Sequence, residues 1–208
     1  MKDAVDRLTP LGLMVLALLR EGDMHPYEMM RLMRQRRDDR LVAITNGTLY
    51  HTVGRLVRAG LLDEVGVDRD GNRPERTTYT LTAAGSDAVG EWVRRELPRI
   101  DHPAEFRIAL AEAHNLDRGE VVDLLRARMA GLTGEHLLHS GGRRSAVERA
   151  VPEQFLLELE RTEVLLESEL RWLDALIDRI ERREFPWGAD ELTPQSDRYL
   201  EERKAARQ

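Results

Sequence analysis

The stretch that most constrains this chain is Thr45–Leu62, TNGTLYHTVGRLVRAGLL. Leu49, Val53, Leu56 and Val57 recur at i, i+4, i+7 and i+8, the period of a helix with one apolar face. The spacing predicts a helix over Asn46–Ala59, closed by Gly60 and followed by a strand. Its opposite face carries Gly47, His51, Gly54, Arg55 and Arg58, with Thr48 beside them. That face has no acid, and its two glycines would let a partner approach the backbone closely. At 1.5 Å per residue the helix is about 21 Å long, short enough to lie in a DNA major groove. An ordinary amphipathic helix with a solvated polar face gives the same pattern, so the neighbouring segments have to decide.

Upstream, Thr9 is a candidate N-cap and Pro10 suits a first helical position. The helix predicted over Leu11–Arg20 is apolar nearly all round, which makes it the buried pillar of its domain. A second helix runs from Pro26 to Arg37, with Met29, Met30, Leu32 and Met33 on its apolar face and Arg36 and Arg37 in its last turn. Downstream, Leu61–Val67 and Arg76–Leu81 read as strands, the second with strict alternation, joined through the turn signal Asp70-Gly71. The tip of this hairpin carries Arg69, Arg73 and Arg76. Three helices followed by a basic-tipped hairpin is the order of a winged helix-turn-helix, whose third helix enters the major groove while the wing reaches backbone or minor groove. Thr82 caps a further helix to Leu97, and Pro98 stops it.

Charge supports a local rather than a global reading. The net charge of −6 argues against nucleic acid, but residues 1–98 carry 15 basic and 15 acidic side chains, leaving the whole deficit to the second half. Between Arg31 and Arg58 seven arginines face only Asp38 and Asp39, a local excess of the kind that contacts a phosphate backbone. Aromatic residues make up 5% of the chain, too few for a single-strand stacking platform. There is no cysteine, which excludes disulfides, thiolate metal sites and thiol catalysis. The longest apolar run, Leu11–Leu19, is too short for a bilayer, and MKDAVDRL lacks the pattern of a signal peptide. A soluble, cytoplasmic protein is expected.

Beyond Pro98 the pattern is helical throughout. Arg99–Pro103 is the candidate boundary, giving a first domain over 1–98, a helical domain over 99–184 and a tail over 185–208. A helix over 103–113 comes first. Asp117, with Glu120 three residues on, reads as a capping box for a helix to Leu138, which Gly141-Gly142 should break. The longest helix is expected from Pro152 to Arg183. One stripe on it runs Phe155, Leu159, Thr162, Leu166, Leu170, Leu173, Ile177 and Ile180; Leu156, Val164, Leu165, Trp172 and Leu176 form a second. Two apolar faces on one helix imply a second subunit. The first stripe (Phe155, Leu159, Leu166, Leu170, Leu173, Ile177, Ile180) is the expected homodimer seam. Phe185 and Trp187 are candidate anchors for the start of the tail.

At this point GTLY (47–50), the spaced Leu56, Gly60 and Leu61, then Gly71, Arg73, Tyr79, Leu81, Thr82 and Gly85 resemble the PadR-type transcriptional regulators. TPLGLMVLALLREGDMHPYEM (9–29) resembles that family's first two helices. The resemblance covers residues 9–97, while the later helices match only the longer-tailed subgroup in size and helical character. His51 stands where proline is usual, and Pro26 where glycine is common. The resemblance implies a mainly α protein, with an N-terminal winged helix-turn-helix and an all-α C-terminal dimerisation domain. It further implies a homodimeric DNA-binding regulator, usually a repressor, that binds double-stranded DNA at a palindromic operator and is released by a small molecule or stress signal. By position, Asn46, Thr48, Tyr50, His51, Arg55 and Arg58 would meet DNA from the helix and Arg73 and Arg76 from the wing. Arg31, Arg34, Arg36 and Arg37 are candidate phosphate contacts.

No catalytic residues, metal or cofactor are expected. Glu135-His136-x-x-His139 is the one ligand-like constellation, and a helix supplies it without a third ligand at sensible spacing. Neither G-x-S-x-G nor a phosphate-binding glycine loop occurs. A protein-interaction adaptor acting through the C-terminal helices is the alternative. Met29, Met30, Met33, Tyr79 and Trp92 could be either plain core or the lining of an effector cavity.

Overall fold

The computed structural model describes residues 5, 7–68, 76–188 and 191. Four helices and a hairpin come first: α1 Pro10–Leu19, α2 Pro26–Gln35, α3 Asn46–Arg58, β1 Leu62–Asp68, β2 Arg76–Leu81 and α4 Ala83–Glu96. Three helices follow: α5 Pro103–Ala111, α6 Arg118–Glu148 and α7 Leu157–Glu181. Among the described residues the one sheet is the antiparallel pair β1–β2.

Every residue of α1 from Leu11 to Leu19 is buried. Thr9 caps it as the sequence predicts, its hydroxyl accepting from Gly12 N at 3.2 Å. α3, α4, α5 and the base of the wing pack against this pillar, and α2 packs on α3. Met29, Met30, Met33 and Trp92 are core residues, each less than 5% exposed. Of the two readings open for them, packing is the one the fold adopts.

The cap of α2 was not legible in the sequence. His25 supplies it: its Nδ1 accepts from Tyr27 N at 3.0 Å, and the Glu28 carboxylate accepts from His25 N at 2.9 Å. Histidine is outside the usual capping set, although Glu three residues on is half of the pattern. The far end also differs from expectation. α2 stops at Gln35, and Arg37 takes a left-handed conformation with φ 61°, so neither Arg36 nor Arg37 lies within the helix. α3 ends as its glycine dictates. Gly60 has φ 70°, Leu61 N donates to Leu56 O at 3.0 Å, and Gly60 N donates to Val57 O at 2.9 Å. This pair of bonds is the Schellman motif.

In the wing, Leu62 lies opposite Leu81 and Glu64 opposite Tyr79, with a bulge between Glu64 and Gly66. Met24 and Tyr79 exchange two backbone bonds of 3.1 Å, so the connection before α2 adds a one-residue bridge to the sheet.

The α4–α5 connection is fixed by buried charge. Glu96, 2% exposed, receives Arg95 Nε at 2.7 Å and faces His102 Nδ1 at 3.2 Å. Arg99 grips Asp101 through two bonds of 3.0 and 2.8 Å, which holds the Asp101 carboxyl down at about 2. Arg128 of α6 is equally buried. Its guanidinium bonds Glu169 of α7 at 3.0 and 2.6 Å, donates to the Arg99 carbonyl, and lies 3.5 Å above the Phe106 ring.

Three expectations for the second half need correction. Asp117 makes no side-chain cap bond; Glu120 instead binds Arg94 of α4 at 2.6 and 3.2 Å, so an inter-helix pair replaces the capping box. α6 runs unbroken through Gly141-Gly142 for 31 residues. Each glycine costs about 1 kcal/mol in a helix, and packing on α7 beyond them, with Ala146 buried and Arg143 Nε 2.5 Å from Glu163, outweighs that. Pro152 leads into a 3₁₀ turn, Glu153–Phe155, before α7 begins.

The expected seam also changes. Leu173, Ile177 and Ile180 are buried within the chain, with Leu159, Leu166 and Leu170 partly covered and Phe155 exposed. The α6–α7 hairpin consumes most of this stripe. Apolar surface stays exposed instead at Leu137, Leu138, Leu157, Val164, Leu165 and Trp172. Phe185 and Trp187 do anchor the chain after α7: Trp187 Nε1 donates to Leu116 O at 2.8 Å, and Arg118 donates to the carbonyls of Ile180 and Phe185.

Candidate nucleic-acid interface

The outward face of α3 follows from its cap and its core contacts. Leu49, Thr52, Val53 and Leu56 are buried. Rotation at 100° per residue then turns Asn46, Gly47, Thr48, Tyr50, His51 and Arg58 to solvent, with Gly54 and Arg55 at the margin. A methyl group added at Gly47 would meet nothing within 4 Å, and one at Gly54 would meet only Arg58 Nη1, at 3.9 Å. Nothing inside the chain requires glycine at either position.

Thr45, not singled out in the sequence, caps this helix reciprocally with Thr48. Thr48 Oγ1 accepts from Thr45 N at 2.9 Å and donates to Thr45 O at 3.0 Å. The Thr48 hydroxyl proton is therefore spent within the chain, and only acceptor capacity remains. The pattern T-x-x-T just before an apolar period could have signalled it.

Arg55 also has an internal role, donating through Nη2 to Thr9 Oγ1 at 3.2 Å and so joining α3 to the cap of α1. Arg58 is exposed one turn further on. Tyr50 stands edge-on to His25, with ring centroids 6.4 Å apart. Tyr79 of the wing is joined by its backbone to Met24, next to His25, and burial pushes its phenol up, with the Glu64 carboxylate adding to the effect. His25, Tyr50 and Tyr79 thus gather where α2, α3 and the wing meet.

The candidate phosphate contacts divide. Arg31 and Arg34 are exposed on α2. Arg36 is clamped to Glu21 by two bonds of 2.8 Å, so its guanidinium fork already holds a carboxylate of the chain itself. Arg37 sits in the left-handed turn, 3.4 Å from Asp39. Arg69 and Arg73 lie outside the described residues, and Arg76 opens β2.

Behind Arg36 sits an acidic group. Burial pushes the Asp38 carboxyl up, opposed by Arg36 and Arg40. Burial raises Glu112 too, with Asp38 and Glu21 adding and His114 and Asn115 opposing. Both groups hold their protons more tightly in the fold than in the unfolded chain, so stability falls as pH rises through that range. Glu112→Gln is expected to raise Tm at neutral pH, with the gain shrinking to nothing as pH drops below the ordinary glutamate value of 4.5. Melting curves across pH check this; a variant that melts lower at pH 7 contradicts it.

A buried pillar, a helix-turn-helix with its third helix turned outward, and an antiparallel wing define a winged helix-turn-helix. Residues 15–91 match the Transcriptional regulator PadR-like family. The chain carries a PadR-like domain over these residues. No curated protein matches the chain. Among solved structures, Bacillus subtilis PadR in complex with operator DNA is 19% identical with a TM-score of 0.40, covering 82% of this chain and 98% of that one. Bacillus subtilis PadR in complex with p-coumaric acid is 18% identical with a TM-score of 0.38, covering 83% and 99%. The protein smu.1604c from Streptococcus mutans UA159 is 16% identical with a TM-score of 0.38, covering 80% and 98%. Among the described residues no helix is long and apolar enough to cross a membrane.

Proposed function

We propose that this chain is a homodimeric, sequence-specific repressor that binds a palindromic operator and releases it on a small-molecule or stress signal. The observation that supports this most is the acid-free outward face of α3, within a PadR-like domain. Its two glycines serve no internal packing. His51 and Asn46 read base edges from the start of the helix, Tyr50 bonds phosphate, and Arg58 takes phosphate or a guanine edge. Arg55 orients α3 through Thr9 and keeps its other donors for the backbone. Arg31, Arg34, Arg73 and Arg76 complete the phosphate contacts. Residues 1–98 form the DNA-binding unit and 99–184 the dimerising one. The second stripe on α7, with Val164, Leu165 and Trp172 exposed, is the seam.

The test is fluorescence anisotropy on the chain's own upstream DNA against a scrambled duplex, at several salt concentrations. The native duplex is expected to bind at least about 1,000-fold more tightly, with a steep salt slope and two subunits per site. Arg58→Ala should cost about 1–3 kcal/mol and relax specificity if Arg58 reads guanine, or flatten the salt slope by about one if it holds phosphate. Absence of binding to either duplex at low salt refutes the reading.

A further inference from the structure

The α6–α7 hairpin has a seam of apolar side chains interrupted by polar positions. On α6 the inward positions step by threes and fours through Leu125, Arg128, Leu132, His136, His139, Arg143 and Ala146. On α7 they step through Leu156, Leu159, Glu163, Leu166, Leu170, Leu173 and Ile177. Among the leucines, His136, His139 and Glu163 take inward positions, as do Arg128 and Arg143, which are paired with Glu169 and Glu163. A polar position costs free energy there unless something compensates it. Glu163 is only 14% exposed and His136 24%.

Glu167 lies one turn from Glu163 on the same face. Its Oε1 is 3.4 Å from His136 Nε2. His136, Glu163 and Glu167 each offer a ligand atom, all within 4.8 Å of one another. On α6 alone His139 lies 3.8 Å from Glu135; α7 brings two carboxylates to His136. We propose that His136, Glu163 and Glu167 bind a divalent first-row transition ion between α6 and α7, with Zn(II) as its representative.

The donor set defines the class of ion. One imidazole with two carboxylates suits zinc, iron, cobalt, nickel or manganese, and these three donors include no thiolate or thioether to select a soft monovalent ion. Calcium and magnesium favour all-oxygen shells. Two donors on a tetrahedral ion with bonds of about 2.1 Å stand about 3.4 Å apart, the separation that His136 and Glu167 already have. Glu163 would have to share its carboxylate between the ion and Arg143. Three protein ligands leave a position for water. The charge also fits. Arg143, 2.5 Å from Glu163, offsets one of the two carboxylates, so one negative charge is left for the ion to meet. Val164 and Leu165 follow Glu163 in sequence, so the ion would brace the hairpin beside its exposed apolar face. The proposal stands apart from DNA binding, and its failure would leave that reading untouched.

The test uses the untagged full chain after chelator treatment, titrated calorimetrically with Zn(II) and followed by visible absorption with Co(II). One ion per chain is expected, with the absorption of tetrahedral Co(II). Loss of an outer-shell partner weakens metal sites 10–100-fold, so His136→Ala, Glu163→Gln and Glu167→Gln should each weaken binding by at least about 100-fold. Far-UV circular dichroism checks that each variant folds. Glu167 is half exposed, so Glu167→Gln decides the matter if either of the others does not fold. Absence of uptake overturns the proposal. So does uptake unchanged by the two glutamate substitutions, which would assign the ion to His136 and His139 of α6 alone.

Discussion

Arg128→Ala is expected to lower the stability of the chain by about 3 kcal/mol, near the low end for breaking a buried ion pair. The side chain is 3% exposed, but its partner Glu169 keeps 33% of its side-chain surface in water, which softens the loss. Three things go at once. Glu169 loses both its bonds, the Arg99 carbonyl loses its donor, and the Phe106 ring loses the guanidinium stacked 3.5 Å above it. At about 2–4 °C per kcal/mol for a chain of this size, Tm should fall by roughly 6–12 °C. Arg128→Lys should recover little, because an ammonium cannot bond the Glu169 carboxylate and the Arg99 carbonyl through one planar fork. Chemical denaturation of the wild type and both variants measures this. A wild-type melting curve for Arg128→Ala would mean that the network contributes nothing net.

Gly85→Ala is the second large effect. A Cβ at this position would lie against the Leu61 carbonyl oxygen, far inside van der Waals contact, and 2.7 Å from Leu81 Cδ1. The leucine methyl can turn away. The carbonyl cannot, because it accepts from Thr82 N at 3.2 Å, while Thr82 Oγ1 donates to Gly60 O at 2.9 Å and caps Gly85 N at 3.0 Å. The first turn of α4 is thus threaded through the exit from α3. Overpacking costs about 1–3 kcal/mol where neighbours can yield, and more where they cannot, so a loss of about 3 kcal/mol or more is expected. Gly47→Ala is the control: with open space around it, that variant should melt no lower than the wild type and be up to about 1 kcal/mol more stable. Equal melting temperatures for all three proteins would remove the steric argument.

The first half of the fold was legible because local signals agreed with one another. Thr9-Pro10, the apolar period through Leu56, Gly60 and Thr82 each punctuate an element, and each does so where the structure places it. The winged helix followed from order alone, and the PadR-like match agrees with the resemblance carried by residues 9–97.

What stayed hidden was tertiary. Nothing local says that His25 will cap α2, that Glu120 will leave its own helix end for Arg94, or that packing will carry α6 through Gly141-Gly142. The outward residues of α3 could be listed from their period, but not that Thr48 would turn back to Thr45, Arg55 to Thr9 and Arg36 to Glu21. On α7 the two stripes were readable, whereas which of them the chain would keep for itself depended on α6.

The strap after α7 has a mechanical consequence. Trp187 and Arg118 bind the end of α7 back to the start of α6, while the turn at 149–156 joins their other ends. A hairpin closed at both ends cannot slip in register. Its two helices move as one beam, about 46 Å long for the 31 residues of α6 at 1.5 Å each. Arg94–Glu120 and the Arg128–Arg99 bond lie near the strapped end, where the beam meets α4 and α5. A small displacement at the free tip is therefore delivered to that junction as a rotation, with the beam acting as a lever and the buried Arg128 as its fulcrum.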